Sequence, residues 1–218
     1  MTSAFIGRKS DLKLMKEQLM PGEVLERRKI CVIHGVGGIG KTQLAIEYAR
    51  LHKARYTSFF WLDGKTEESL IRSLLLIASH LPKGQIPNVD IQEIKGLEES
   101  KERAQEVLKW FNLKGNTQWL LVFDNIDKTS YKEEVSNQDT ESSLYNITQY
   151  FPRGDTGSII ITTRLQRLIP LGSQVHLHKL NVLDSLLILE KHIGRSLKQM
   201  GSYMTSIDNR EIDGWDPG

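Results

Sequence analysis

Ile30-Cys31-Val32-Ile33-His34-Gly35-Val36-Gly37-Gly38-Ile39-Gly40-Lys41-Thr42 decides the fold of this chain. An apolar run of strand length feeds a glycine-rich turn. Leu44, Ala45, Ile46 and Ala49 then recur with helical spacing. Gly35, Gly40, Lys41 and Thr42 fit the pattern G-x-x-x-x-G-K-[ST], whose glycines let backbone wrap an anion without Cβ clashes. Backbone N–H groups of the loop and first helical turn then point at a phosphate, and the helix dipole favours negative charge there. The Lys41 ammonium reaches β- and γ-phosphate oxygens, and the Thr42 hydroxyl suits a Mg²⁺ ion. The expected phosphate site is therefore Val36, Gly37, Gly38, Ile39, Gly40, Lys41, Thr42 and Gln43.

Outward from that stretch, four more runs read as strands. Ser58–Asp63 and Trp119–Asp124 are apolar and end in a carboxylate. Gly157–Arg164 is apolar in its middle and polar at its end, and Gln174–His178 is a fifth candidate. Helical spacing covers Leu12 to Met20 behind a Ser10 cap, Lys41 to about His52, Glu67–Leu81, Glu98–Leu113, Leu144–Phe151 and Asp184–Ile193. Strands alternating with helices predict an α/β fold with a parallel sheet buried on both faces, a three-layer sandwich. Ligands of such sheets sit beyond the carboxyl ends of the strands. His34-Gly35, Asp124 and Thr163-Arg164 all fall there, so three separate segments are expected to converge on one site.

Composition bounds the rest. The chain has 218 residues, a net charge of +2 and one cysteine. That charge is too small to argue for a nucleic-acid surface, and Arg27-Arg28-Lys29 reads as a solvated linker. Cys31 excludes an internal disulfide framework and is expected to be a reduced core thiol. No apolar run reaches the ~18 residues of a membrane span, and no signal h-region opens the chain. A cytoplasmic location, without membrane partners, is the expectation. The organisation expected is an N-terminal segment over residues 1–28, a nucleotide-binding domain over 29–195 and a truncated or disordered tail over 196–218.

Asp124, after its apolar strand, suits Mg²⁺ held directly or through water. Many ATP-hydrolysing proteins with such a loop carry a second acid immediately afterwards to orient the attacking water. Asn125 stands in that slot and cannot act as a base. Asp127 could take the role if the turn aims it inward, or could be a solvated turn residue. Slow hydrolysis is expected. Arg164 could sense a γ-phosphate or merely pair with a nearby acid. Thr162 and Thr163 could position water. His176 and His178 lack a second cluster that would complete a metal site, and Trp61, Trp110 and Trp119 read as core or partner-facing aromatics.

Together these segments resemble the NB-ARC branch of the signal-transduction ATPases with numerous domains. The residues carrying the resemblance are Phe5-Ile6-Gly7-Arg8, the phosphate loop His34–Thr42, Leu120–Asp124 and Ile161-Thr162-Thr163-Arg164. Phe59–Asp63 is similar to fungal or bacterial members, so a fungal-type NOD-like receptor is the relative implied. The resemblance implies a strand order of 5-1-4-3-2 and places Ile6, Gly7 and Arg8 against adenine, making the nucleotide ATP or ADP. It also implies a switch in which ADP holds a closed state and Mg·ATP an open, self-associating one. The helical, winged-helix and C-terminal repeat domains that accompany this domain in the family are not found in the sequence. A P-loop nucleotide or small-molecule kinase is the alternative, although arginines suited to a kinase lid do not cluster.

Overall fold

The computed structural model describes residues 5–20, 27–82, 84–85, 96–130, 145–180 and 182–193. The chain divides into two compact units, one spanning Lys9–His178 and the other combining Met1–Arg8 with Lys179–Gly218. In the larger unit five parallel strands form one sheet: β1 (Lys29–His34), β2 (Ser58–Asp63), β3 (Trp119–Asp124), β6 (Ser158–Thr163) and β7 (Ser173–His176), ordered β2-β3-β6-β1-β7. Counting only these strands and reading from β7, the order is 5-1-4-3-2, as the family resemblance implies. A second ribbon pairs β4 (Thr129–Ser130) with β5 (Tyr145–Asn146).

Alternation along the strands explains both covered faces. Val32, Leu121, Phe123, Ile159 and Ile161 join one buried cluster with residues of helices α3 (Glu67–Ala78) and α4 (Leu97–Trp110). The intervening Cys31, Ile33, Leu120, Val122 and Ile160 are equally buried, on the face where α1 (Lys9–Leu19) packs on β1 and α2 (Lys41–His52) on β6. With both faces covered, the inner strands β1, β3 and β6 are apolar through their middles. Thr66 caps α3 in a reciprocal box with Ser69, a device that contributes about 1 kcal/mol. At the sheet's other end Gly157 is left-handed (φ +78°), and a Cβ there would lie 2.2 Å from the Trp119 ring, so both backbone and packing call for glycine.

Three expectations need correction, and one element was not anticipated. Leu144–Phe151 is not a helix in its described part. It forms β5 and a short 3-10 turn over Ile147–Tyr150, because the Asn146 side chain accepts the Thr148 N–H and Pro152 follows at once. Gln166–Leu171, unassigned from sequence, is a 3-10 helix whose Leu168 joins the core. Ser10, expected as a cap, is the second residue of its helix, which starts at Lys9, two residues before the Asp11 start such a cap implies. The basic run is no simple solvated linker. Arg28 donates to the carbonyls of Pro152 and Gly154 and lies over the Phe151 ring, and Lys29 donates to the Met20 carbonyl.

Cys31, Trp110 and Trp119 are core residues, and Trp61 is half-buried. In the smaller unit, α5 (Val182–Ile193) begins two residues earlier than its periodicity suggests. The tail expected over 196–218 lies outside the described residues. Among the described residues no helix is long and apolar enough to cross a membrane.

Candidate phosphate and magnesium site

The site grows out of how β1 ends. Its backbone leaves the sheet at His34-Gly35 and re-enters regular structure at Lys41, the first residue of α2. Gly40 caps that helix at φ 100°, ψ 21°, a left-handed conformation natural to glycine. It offers no capping side chain, and the first turn of α2 holds no acidic residue. The first turn of α2 thus brings no carboxylate of its own to these amides, and its residues line a cleft of about 450 Å³.

The cleft is lined by the loop residues Gly37, Gly38, Gly40, Lys41, Thr42 and Gln43, and by Asn125, Asp127, Thr162 and Arg164. Lys41 Nζ donates to the carbonyls of Gly35 and Val36, at 2.9 Å each. An ammonium has three N–H donors, so one remains for a phosphate oxygen while the loop holds the charge at its centre. Burial pulls the Lys41 pKa below its ordinary value; Asp127 raises it, Arg164 lowers it and Asp124 raises it.

Thr42 Oγ1 lies 2.9 Å from Asp124 Oδ1 and donates to it. Two neighbouring oxygens of an octahedral Mg²⁺ shell, each about 2.1 Å from the ion, are roughly 3 Å apart. This pair fits the ion. Among the described residues no group of three or more His, Cys, Asp or Glu side chains could hold a metal, but Mg²⁺ sites of this kind need only one or two carboxylates beside phosphates and water.

Strand pairing makes the rest of the constellation. The β3–β6 register, Leu120↔Ser158 through Phe123↔Ile161, carries Asp124 to Thr162. Thr162 Oγ1 donates to Asp124 Oδ1 at 2.5 Å and accepts the Asn125 N–H at 2.9 Å. Thr163, fully buried, donates to the Ile126 carbonyl and accepts the Leu165 N–H. Both threonines thus hold the turn after β3 in place, a role that the water-positioning expectation missed. Sequence alone gives no signal for it, because the partners are 37 and 38 residues apart.

Asn125 is left-handed, with φ 64°. Asparagine tolerates that region better than most residues, so its presence suits the backbone as well as removing a carboxylate. The turn swings Asp127 inward, where its side chain is 12% exposed. It accepts the Arg164 backbone N–H at 2.7 Å and the Arg164 Nε–H at 2.6 Å. Arg164 reaches over the loop as well; its Nη1 lies 3.8 Å from where a Cβ on Gly37 would stand.

Of the residues expected to act together, Lys41, Thr42, Asp124, Asp127 and Arg164 meet at the carboxyl ends of β1, β3 and β6. Ile6, Gly7 and Arg8 belong to the other unit, where Gly7 (φ 76°) and Arg8 (φ 54°) form a left-handed turn. A Cβ on Gly7 would sit 3.0 Å from Asp184 Oδ2 of α5. His176 stacks on His34 with ring centroids 4.3 Å apart, and His178 tilts against His176 at 4.1 Å.

A parallel sheet in this order, with a glycine-rich loop joining its β1 to α2, is the α/β fold of P-loop nucleotide-binding proteins. The crystal structure of Cdc6p from Pyrobaculum aerophilum shares that fold, with a TM-score of 0.50 and 13% identity over 86% of this chain and 51% of that one. The profile of the NB-ARC domain matches residues 8–195, and the chain belongs to that family. A nucleotide-binding leucine-rich repeat (NLR)-like protein of Hyaloscypha variabilis is 28% identical over 167 residues, which is 74% of this chain but 16% of that protein. The chain thus spans about a sixth of that relative's length.

Proposed function

We propose that this NB-ARC domain is an ATP/ADP switch that binds nucleotide phosphates in the cleft between the β1–α2 loop and the ends of β3 and β6. The observation carrying the reading is the convergence of Lys41, Thr42 and Arg164 on one cleft at the start of α2, with Asp124 hydrogen-bonded to Thr42 behind its lining. Lys41 and the loop amides hold the phosphate chain, and Thr42 with Asp124 takes the magnesium ion. Bound there, Mg²⁺ neutralises charge on the phosphates. Arg164 reports whether a third phosphate is present. Ile6, Gly7 and Arg8 are assigned to adenine on the strength of the family pattern.

Hydrolysis is slow on this reading, since Asn125 supplies no base at the position next to Asp124. A switch requires the γ-phosphate to bind two states with different affinity, because equal affinity shifts nothing. The two states are a closed ADP form and a self-associating ATP form, read out by further domains of a longer receptor-like protein in the cytoplasm. The relative's much greater length supports such an arrangement.

The test is to denature the purified protein, identify any nucleotide it releases, and titrate the nucleotide-free protein with ATP and ADP with and without Mg²⁺. Released ADP, and binding whose Mg²⁺ dependence disappears in Asp124→Ala, are expected. No binding of either nucleotide would refute the proposal.

A further inference from the structure

Asp127, the acid among the described residues lining the cleft, engages Arg164 with both oxygens, one to its backbone N–H and one to its Nε–H. We propose that Asp127 is the positioning residue for Arg164: it grips the guanidinium by the Nε edge, leaves the terminal nitrogens facing the loop, and so sets how strongly the domain prefers a nucleoside triphosphate to a diphosphate. This rests on the nucleotide-switch reading above and deepens it.

The turn that presents Asp127 is built for fixed geometry. Ile126 donates its N–H to the Thr162 carbonyl at 2.9 Å, and its own carbonyl accepts from Thr163. The Ile126 side chain is fully buried and fills the space where a Cβ on Gly64 would lie, 1.7 Å from Ile126 Cδ1. Anchored on both sides of its backbone, the turn has little freedom to redirect Asp127. Arg164 is the more exposed partner, with a side chain 59% exposed against 12% for Asp127.

A guanidinium carries five N–H donors in a planar fork. Gripping Nε from the side fixes the plane and leaves the Nη1 and Nη2 ends to meet phosphate oxygens above Gly37. Released from Asp127, the same side chain has several rotamers to lose on meeting a phosphate. The same contacts speak against Asp127 as the acid that activates water, since each oxygen is already engaged in a short hydrogen bond to Arg164.

Calorimetry of ATP and ADP in the presence of Mg²⁺ tests this on wild type, Arg164→Ala, Asp127→Ala, Asp127→Asn and the double alanine variant. The ratio of ATP to ADP affinity is expected to fall about tenfold in each alanine variant. In the double variant it should fall no further, because the two residues act as one unit. Asp127→Asn keeps the shape and one acceptor oxygen, so it should restore part of the ratio, and it carries the test if Asp127→Ala does not fold.

Three results would overturn the proposal: equal weakening of ATP and ADP in Asp127→Ala, additive losses in the double variant, or slower phosphate release with the ratio intact. The last is the outcome a water-activating acid predicts. Unchanged binding of both nucleotides in Lys41→Met would overturn the nucleotide-site reading itself. Binding that depends on Lys41 while the ratio in Asp127→Asn and Asp127→Ala stays at the wild-type value would overturn only the role of Asp127.

Discussion

Replacing Lys41 by methionine keeps most of the side chain's bulk and removes the one charge at the centre of the loop. A unit charge about 4 Å from a phosphate charge interacts by about 4 kcal/mol at an effective dielectric of about 20. Lys41 is only partly buried, and salt screens the exposed part, which roughly halves that figure. A loss of about 2–4 kcal/mol corresponds to about 30- to 1000-fold weaker binding. The substitution also leaves the Gly35 and Val36 carbonyls without the ammonium they share. Both lie near the cleft where water can replace it, so stability should change by less than about 1 kcal/mol. Calorimetric titration with ATP and ADP, beside a thermal melt of the same preparation, separates the two effects. Affinity within about threefold of wild type in a folded Lys41→Met variant would refute the electrostatic argument.

Other perturbations probe the scaffold. Gly157→Ala must place a methyl inside the Trp119 ring and adopt a left-handed backbone, so urea unfolding should show a loss of about 2–5 kcal/mol; a loss below 1 kcal/mol would contradict the packing described. Burial lowers the His34 pKa, with His176 and His178 adding to the effect, and its Nε2 has no hydrogen-bond partner among the described residues. Folding therefore favours neutral imidazole. The stability it contributes is complete above the unfolded value of about 6.5 and is lost as pH falls below it. The melting temperature should drop between about pH 7 and pH 5.5, and His34→Gln should flatten that drop. Burial pushes the Cys31 thiol up to about 12. It should resist a disulfide reagent in the native protein and react on unfolding in urea; rapid labelling of native protein would show the strand to be open.

Much of the architecture was legible because it is local. The apolar strand, the glycine-rich turn and the helix after it follow one another within Ile30–Ala49, and each other strand is a short apolar run. Burial of the sheet on both faces forces such runs, so composition within a few residues carries the signal. The edge strand β7 was the least well bounded, since only four residues pair with β1 and its exposed positions dilute the pattern. The 3-10 segments were misread or passed over for the same reason. Ile147–Tyr150 and Gln166–Leu171 are too short for a period to declare itself, and caps or tertiary contacts decide them.

What the sequence determined by itself is the chemistry at each strand end: a cation and hydroxyl after β1, a carboxylate closing β3, an arginine after β6. Those identities depend only on residue type and on the spacing that ends a strand. Which of them touch was decided by the tertiary structure. Parallel pairing of β3 with β6 sets Thr162 against Asp124, and the left-handed Asn125 turns Asp127 onto Arg164 rather than into solvent. A hydrogen bond needs its partners within about 3 Å, and across 37 residues of chain only the register of two strands can supply that.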